Sequence, residues 1–315
     1  MKPQPVILDT DIGTDIDDTW ALAMLLASPE LNLRLITTVS GDLSYRAGLC
    51  AALLAVAGRS DIPIGLGLGG ELKLPPILRG APQTGFGGPA ALKAHPRVLA
   101  DGVEAIVRTV LDSDDMVTVI GIGPLTNIAE ALKRCPEIAE QAKFVGMCGS
   151  IRTGYRGAET PAVEYNIFAD IPAAQAVLSA PWEMTITPLD SCGSAVLMGD
   201  HYRRFHDHAA SHPGTMASAV LENYRLWLKA LNAPAEQLST RSTTQYDAVA
   251  IYLALADAAL EMERLPISVS DDGMTRIDPA GALMNVATGW RDRNAFDAFF
   301  VDRLCAMEAK EKQKF

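Results

Sequence analysis

Cysteine is scarce in this sequence and its positions follow no pattern. Five cysteines are spread over 315 residues, and none of them forms a CxxC pair or stands at the spacing of a zinc motif. An odd number of scattered thiols is a poor framework for disulfides, so we predict that the cysteines stay reduced and that the fold needs no structural zinc. The five positions are Cys50, Cys135, Cys148, Cys192 and Cys305.

Positive charge is also in short supply. The chain has 27 lysines and arginines against 38 aspartates and glutamates, a formal net charge of −11. Because nucleic acids and anionic membranes are bound through positively charged faces, this balance argues against both partners. Apolar runs such as residues 51–57 are far shorter than the roughly 20 residues that span a bilayer. With no signal-peptide pattern at the start, the sequence predicts a cytoplasmic protein.

The sequence instead contains a regular alternation of strand and helix patterns. Apolar residues make up 49% of the chain, and the strand runs are apolar on both faces, as in parallel sheets covered by helices. We therefore predict an α/β fold with an open, mostly parallel, doubly wound (Rossmann-like) sheet. The strand patterns cover residues 6–8, 33–39, 62–65, 116–122, 143–148, 183–188, 265–269 and 282–286, and the helical patterns residues 19–28, 45–57, 125–135, 171–179 and 295–310.

The chain offers no convincing boundary between domains. Residues 198–246 change in character to helix, whereas the last third returns to short strands and a closing helix. Neither an internal repeat nor a linker separates the two parts. We therefore predict a single domain, residues 1–315, with a mainly helical insertion at about residues 198–246.

The densest chemical signal is a cluster of acidic residues directly after the first strand pattern. Five carboxylates lie between Asp9 and Asp18, at the carboxyl end of a strand, where α/β sheets form ligand sites. Two like charges about 4 Å apart repel each other by roughly 4 kcal/mol at an effective dielectric constant near 20. An acidic helix start would explain Asp17 and Asp18, but it would not explain Asp9 and Asp11. The cluster predicts a cation site, and its oxygen-only ligands favour Ca²⁺ or Mg²⁺.

Two known arrangements match this cluster poorly. An EF-hand loop counted from Asp9 would need glycine and glutamate where Thr14 and Trp20 stand. A haloacid-dehalogenase-type phosphotransferase would use Asp9 as its nucleophile, but Gly13 occupies the place where that family has threonine or valine. A Mg²⁺-dependent phosphotransferase stays open as an alternative function.

Four motifs, in order along the chain, match a third arrangement. In their order and approximate spacing, from residue 6 to about residue 255, the chain resembles the inosine–uridine preferring nucleoside hydrolases. The resemblance implies hydrolysis of the N-glycosidic bond of ribonucleosides to ribose and a free base. The motifs are Asp-x-Asp-x-Gly from Asp9 followed by Asp17-Asp18, Gly-Pro-Leu-Thr-Asn at residues 123–127, Thr-Pro-x-x-Glu-Tyr-Asn at residues 160–166, and Tyr-Asp-Ala-Val-Ala at residues 246–250.

The resemblance implies a Ca²⁺ site as well. Asp11, Asp18 and Asp247 would supply carboxylate ligands, and Asp247 would also contact the substrate. The main-chain carbonyl of Ile122 would be a fourth ligand, with Thr126 less favoured because helix carbonyls are already hydrogen-bonded. The ribose hydroxyls of a bound ribonucleoside and a water molecule would complete the coordination shell.

The resemblance further implies a role for each polar residue around the ribose. Asp11 would take a proton from a Ca²⁺-bound water that attacks the ribosyl cation. Asp17 would accept a hydrogen bond from the 2′-hydroxyl and assist catalysis. Glu164 and Asn166 would hold the 5′- and 3′-hydroxyls, and Asp42, which stands where many family members have asparagine, is a further expected substrate contact.

Around the base, the sequence departs from the family pattern. Tyr246 stands where some members have a histidine proposed to protonate the leaving base, so we predict Tyr246 as a catalytic candidate, acting as proton donor or as a ring that stacks on the base. Asp15 belongs to a two-residue expansion and receives no role. The loops at residues 66–89 and 198–246 are expected to close over the base with Phe86, Tyr224, Trp227 and Tyr246.

These departures limit the expected activity. With few proton donors around the base, we expect weak activity on inosine and uridine, and a non-catalytic nucleoside- or ribose-binding protein is a further alternative. The resemblance also implies a homodimer or homotetramer.

Overall fold

The computed structural model describes residues 2–71 and 82–307, and this described part is built around one large sheet. Within it, ten strands form the large sheet and two more form a small antiparallel pair. Numbered in chain order, the strands are β1 (Gln4–Thr10), β2 (Leu31–Thr38), β3 (Ile64–Leu66), β4 (Val98–Leu99), β5 (Val117–Gly121), β6 (Ala142–Met147), β7 (Met184–Thr187), β8 (Val196–Met198), β9 (Arg241–Thr244), β10 (Leu260–Val269), β11 (Thr275–Ile277) and β12 (Ala282–Trp290).

The large sheet is mostly parallel. Its order is β11-β10-β12-β7-β6-β5-β1-β2-β3-β4, and every pairing from β12 across to β4 is parallel. Only at one edge do β10 and β11 run antiparallel to their neighbours. The predicted α/β fold with an open, mostly parallel sheet is confirmed.

Helices cover both faces of the sheet. In β1, Val6 and Leu8 belong to one apolar cluster and Ile7 to another, because successive side chains of a strand point to opposite faces. The first cluster includes the helices Asp17–Leu26 and Leu43–Ala57. The doubly wound arrangement is therefore confirmed.

The helices account for most of the chain between the strands. Those described are Asp17–Leu26, Leu43–Ala57, Pro89–Ala94, Gly102–Leu111, Thr126–Arg134, Ile138–Gln141, Tyr165–Ala169, Ile171–Ser179, Leu189–Cys192, Gly199–Ser211, Met216–Ala230, Gln237–Thr240, Tyr246–Leu253 and Arg293–Ala306, with a 3₁₀ turn at Tyr155–Gly157. No helix among them combines the length and the apolar character needed to cross a bilayer.

Some elements differ from the sequence-based boundaries. Strand β10 begins five residues before the predicted pattern, because its first half alternates buried Leu260 with exposed charged residues such as Glu261 and is not an apolar run. The helix Gly102–Leu111 lies where no element was predicted. The closing helix ends at Ala306, and residues 308–310 of its predicted range lie outside the described residues, as do residues 72–81 of the predicted loop.

The predicted insertion consists of three helices between β8 and β9. These two strands pair with each other. It packs on the first helix through aromatic side chains, since the ring of Trp20 lies 4.6 Å from that of Phe205 and 5.9 Å from that of Tyr224. Both partners share an apolar cluster with Val6 and Leu8 of β1. We therefore propose that the chain is one domain.

The order of the strands creates a crevice beside β1. The chain passes from β1 to β2, β3 and β4 on one side, and then crosses to β5 on the other side. Such a reversal is the topological switch point at which open α/β sheets bind ligands. Asp9 of β1 is in register with Gly121 of β5. Residues that follow these strands, such as Asp11 and Ile122, therefore reach the same edge.

Candidate active site

Three carboxylates from distant parts of the chain meet at this edge. Asp17 and Asp18 open the helix Asp17–Leu26, and Asp247 lies in the first turn of the helix Tyr246–Leu253. Carboxylate oxygens of these three residues lie within 4.8 Å of one another. The main-chain N–H of Asp247 donates to Asp17 Oδ2 at 3.4 Å, and Thr10 Oγ1 donates to Asp18 Oδ1 at 2.5 Å. The tertiary structure thus brings the first and the last of the four sequence motifs together.

Asp11 and Asp15 line the same cavity as these three carboxylates, and we call the five residues together the acidic wall. Asp11 is buried, with Thr14 Oγ1 at 3.4 Å from its Oδ2, and Asp15 is partly buried. Loss of contact with bulk water raises the pKa of Asp15 to about 6. Burial followed by repulsion from neighbouring carboxylates raises the pKa values of Asp17 and Asp247 well above their usual range. Five acidic groups in one wall favour a cation beside them.

The wall fits a hard cation by its chemistry. All of its side-chain donors are carboxylate oxygens, the ligands that Ca²⁺ and Mg²⁺ prefer. The predicted ligands Asp11, Asp18 and Asp247 all line the cavity. The three residues whose carboxylate oxygens lie within 4.8 Å of one another, however, are Asp17, Asp18 and Asp247, so this group includes Asp17 and not Asp11. The carbonyl of Ile122 also faces the site and accepts a hydrogen bond from Asn166 Nδ2 at 3.3 Å. The cluster is therefore able to hold a metal ion.

A cavity of about 470 Å³ opens over the acidic wall. Besides the carboxylates of the acidic wall it is lined by aromatic and apolar side chains, which we call the aromatic wall, and its described lining contains no histidine, lysine or arginine. Its lining residues are Asp11, Thr14, Asp15, Asp17, Asp18, Ile122, Met147, Tyr155, Val163, Glu164, Tyr165, Asn166, Phe168, Tyr246 and Asp247.

Glu164 and Asn166, both predicted substrate contacts, line the cavity but also have structural partners. The carboxylate of Glu164 caps the helix Tyr165–Ala169 and accepts N–H bonds from Gly149, Asn166 and Ile167 at 2.8–3.2 Å. Burial raises its pKa to about 7 although these donors oppose the shift. Asn166 Nδ2 also donates to the carbonyl of Met147 at 3.0 Å.

Tyr246 is the one predicted aromatic residue that reaches the cavity. Its ring stands edge-on to that of Tyr155, with centroids 6.4 Å apart, and burial raises the pKa values of both phenols. Phe86, Tyr224 and Trp227 instead pack against the core. None of these three lines the cavity, contrary to the expectation that they cover a base. The helix Met216–Ala230 places the Tyr224 ring against Trp20 and the Trp227 N–H against the carbonyl of Thr14.

Asp42 does not reach the cavity either. It is exposed, and its carboxylate caps the helix Leu43–Ala57 by accepting the N–H groups of Ser44 and Tyr45 at 3.0 and 3.1 Å. An aspartate directly before a helix is a preferred N-cap. The structure therefore gives Asp42 a capping contact in place of the predicted substrate contact.

The Gly-Pro-Leu-Thr-Asn motif at residues 123–127 packs behind the loop that follows β1 and carries Asp11. A Cβ at Gly123 would lie 2.9 Å from the main-chain nitrogen of Asp11, so only glycine fits there. Asn127 Nδ2 donates to Asp9 Oδ1 at 2.7 Å, and Thr37 Oγ1 donates to the same oxygen. Asp9 is fully buried outside the cavity, and burial raises its pKa to about 7. A nucleophilic role for Asp9 is wrong, because a substrate has no access to it.

Sequence reasoning missed part of the lining. Tyr155, Tyr165 and Phe168 supply most of the aromatic wall, and Asp15 joins the acidic wall. Tyr165 stands inside the third motif, between Glu164 and Asn166, and that position was the available signal. Tyr155 and Phe168 carried none, because isolated aromatic residues are usually packing residues.

Comparison with known proteins agrees with the site. The family model described as "inosine-uridine preferring nucleoside hydrolase" matches residues 6–299 of the chain. The chain belongs to this family. The resemblance derived from the four motifs is thereby confirmed, and so is the class of enzyme that it implied.

Individual nucleoside hydrolases are similar over much of their length. The chain is 34% identical to the non-specific ribonucleoside hydrolase RihC of Escherichia coli over 226 residues, covering 70% of this chain and 72% of that protein. It is 35% identical to the pyrimidine-specific ribonucleoside hydrolase RihA of Enterobacter sp. over 212 residues, and this match spans 64% of each protein. A plant nucleoside hydrolase structure, PpNRh1, shares the fold with a TM-score of 0.81 at 20% identity, covering 96% of this chain and 99% of its own.

Proposed function

We propose that this nucleoside hydrolase family member cleaves the N-glycosidic bond of ribonucleosides and releases ribose and a free base. The observation that carries the proposal is the cavity at the switch point, whose lining combines a cluster of carboxylates with several aromatic rings. The polar wall suits a ribose, which presents hydroxyls and develops positive charge. The aromatic wall suits the flat base that leaves.

The residues of the acidic wall fit Ca²⁺. We propose that the carboxylates of Asp11, Asp18 and Asp247 and the carbonyl of Ile122 hold it, with Asp17 beside them. When bound, the ion would offset the repulsion among the carboxylates, orient ribose hydroxyls and lower the pKa of a water molecule.

The protein's own groups supply the remaining chemistry. Asp11, at the edge of the wall nearest β1, accepts the proton of the attacking water as general base. Asp17 accepts a hydrogen bond from the 2′-hydroxyl, while Glu164 and Asn166 contact the 5′- and 3′-hydroxyls. The negative potential of the wall stabilises the oxocarbenium-like transition state, since charge develops there in a site largely shielded from water.

The aromatic wall binds the leaving group. Tyr155, Tyr165, Phe168 and Tyr246 offer ring faces and edges on which a base stacks. Tyr246 is the proposed proton donor, but its raised pKa makes it a weak acid at neutral pH. We therefore propose that leaving groups which need little protonation react fastest.

Release of reducing sugar from a panel of nucleosides tests the function. We expect Ca²⁺-dependent ribose release from at least one ribonucleoside, and little from its 2′-deoxy analogue, since Asp17 would then lose its partner. Tight nucleoside binding without ribose release would support the non-catalytic alternative.

Two further properties are proposed by resemblance and composition. We propose a homodimer or homotetramer, which light scattering of the purified protein tests. We also propose a cytoplasmic location, which cell fractionation tests.

A further inference from the structure

The acidic loop at residues 11–15 is bound along its backbone by side chains from outside the loop. Each of its five consecutive carbonyls accepts a hydrogen bond from a distant residue. We call these four donor residues the donor collar. Arg46 Nη1 donates to the carbonyl of Asp11 and, at 2.8 Å, to that of Ile12. Tyr45 Oη donates to the carbonyl of Gly13 at 3.1 Å. Trp227 Nε1 donates to the carbonyl of Thr14, and Gln83 Nε2 to that of Asp15, both at 3.0 Å.

The collar lies behind the loop and does not line the cavity. Arg46, Gln83 and Trp227 are buried, and none of the four donors is among the residues that line the cavity. They come from the helix Leu43–Ala57, the segment at residues 82–88 and the helix Met216–Ala230. Contact with a substrate therefore cannot explain their arrangement.

Gly13 shows how closely the collar fits the loop. Its φ is +110°, a conformation that favours glycine, and a Cβ there would lie 2.6 Å from Cε1 of the Tyr45 ring. Tyr45 Oη also accepts the main-chain N–H of Gln83 at 3.0 Å, which links two donors of the collar to each other. The loop is thus held by a connected set of contacts.

The acidic loop needs such support because its carboxylates repel one another. Without external bonds, the backbone would relax in the direction that separates Asp11 and Asp15 from Asp17 and Asp18. Arg46 adds a buried positive charge that opposes this repulsion, while all of its described hydrogen bonds go to main-chain carbonyls. Its charge is therefore not matched by a bidentate carboxylate partner.

We propose that Tyr45, Arg46, Gln83 and Trp227 are positioning residues that set the cation affinity of the acidic wall without touching the cation or the substrate. This inference rests on the proposed function, because it takes the wall to be the metal site. The collar holds the carboxylates together before the ion arrives, so less reorganisation is needed when it binds.

Trp227→Phe tests the proposal with Trp182→Phe as its matched control. Both tryptophans are buried, and Trp182 Nε1 donates to the carbonyl of Val177 at 3.1 Å, in the apolar cluster on the other face of the sheet. Each variant loses one indole N–H bond and the same ring volume. We expect Trp227→Phe to weaken Ca²⁺ binding about three- to tenfold, measured by competition with a Ca²⁺-binding dye. Trp182→Phe should lower the melting temperature and leave the Ca²⁺ affinity unchanged.

Tyr45→Phe provides a milder second test, since it removes one oxygen atom. Its control is Tyr202→Phe, because the hydroxyl of buried Tyr202 donates to the carbonyl of Leu238 at 2.6 Å, away from the loop. We expect only Tyr45→Phe to weaken Ca²⁺ binding, with ribose release restored by added Ca²⁺.

The outcomes separate this inference from the proposed function. Equal Ca²⁺ affinity in Trp227→Phe, Tyr45→Phe and their controls would overturn the positioning role. An unmodified protein that binds Ca²⁺ but releases no ribose would overturn the proposed function, and the affinity comparison would still decide the role of the collar. A protein that binds no Ca²⁺ would overturn both.

Discussion

The two walls of the cavity are built in opposite ways. In the acidic wall, Asp11, Asp17, Asp18 and Asp247 are at most 5% exposed. In the aromatic wall, Tyr155 and Phe168 are 38% and 43% exposed. A buried wall suits an invariant group such as ribose, and an exposed wall suits a leaving group that varies. From this difference we propose that the acidic wall carries the chemistry and the aromatic wall the choice of leaving group.

The largest expected effect comes from breaking the acidic wall. Asp11→Asn and Asp18→Ala should each reduce ribose release by about 10²–10⁴-fold or more, the range typical of a lost general base. Because Asp18 is proposed to act through the metal, excess Ca²⁺ should restore part of the activity of Asp18→Ala. Asp11 is proposed to take a proton as well, so Ca²⁺ should not rescue Asp11→Asn. Steady-state kinetics over a range of Ca²⁺ concentrations measures both.

Asp114→Asn is the control for these variants, because Asp114 is an exposed aspartate in a loop away from the cavity. It should behave like the unmodified protein. Equal rescue of Asp11→Asn and Asp18→Ala by Ca²⁺ would contradict the division of labour between them.

The aromatic wall is probed by changing the leaving group. A p-nitrophenyl riboside needs no acid, so its kcat/KM should exceed that of inosine or uridine by about 10²–10⁴-fold. Its hydrolysis is followed by the absorbance of nitrophenolate, and that of inosine and uridine by reducing sugar. Similar rates for all three would mean that a proton donor operates in the aromatic wall. Tyr246→Phe would then be expected to slow inosine and uridine but not the activated riboside.

The raised pKa values of carboxyl groups that line the cavity should make the free energy of unfolding depend on pH. Because the pKa values of Asp15 (about 6) and Glu164 (about 7) are raised in the fold, the folded metal-free chain binds more protons than the unfolded chain. Its unfolding free energy should therefore fall as the pH rises from 5.5 to 8. Carboxyl groups with lowered pKa values, such as Glu263 at about 2, are ionised throughout this range and do not reverse the trend.

Added Ca²⁺ should reverse this loss of stability. At a concentration about 100 times its Kd, it should stabilise the fold by about 2.7 kcal/mol, or roughly 4 °C in melting temperature for a chain of this length. The gain should be larger at pH 8, where protons do not compete. Thermal unfolding in a chelator and in Ca²⁺ measures both, and a melting temperature that rises with pH in chelator would contradict the sign.

The smallest effect is expected outside both walls. Asp42→Ala should cost about 1 kcal/mol of stability through its lost helix cap, while KM for a nucleoside stays unchanged. Chemical denaturation and steady-state kinetics test this pair of results. A raised KM would mean that Asp42 contacts the substrate, and that the acidic wall extends further than the structure indicates.

The sequence by itself determined the fold class and the chemical character of the acidic wall. Strands such as β1 are apolar on both faces, and a parallel sheet covered by helices is the arrangement that buries both. The helical pattern at residues 171–179 is observed without change as Ile171–Ser179. The acidic cluster could be predicted as a cation site because like charges close together at a strand end repel each other strongly unless a cation offsets the repulsion.

Only the tertiary structure decided which groups meet. Asp17 lies beside Asp247 across 230 positions of sequence, and Trp227 binds the carbonyl of Thr14 across 213. A donor to a main-chain carbonyl leaves no pattern in sequence, because every residue offers the same acceptor. The aromatic wall was equally hidden, since the same residue types serve in cores and in cavities. Local periodicity specifies the elements, and long-range packing specifies the site.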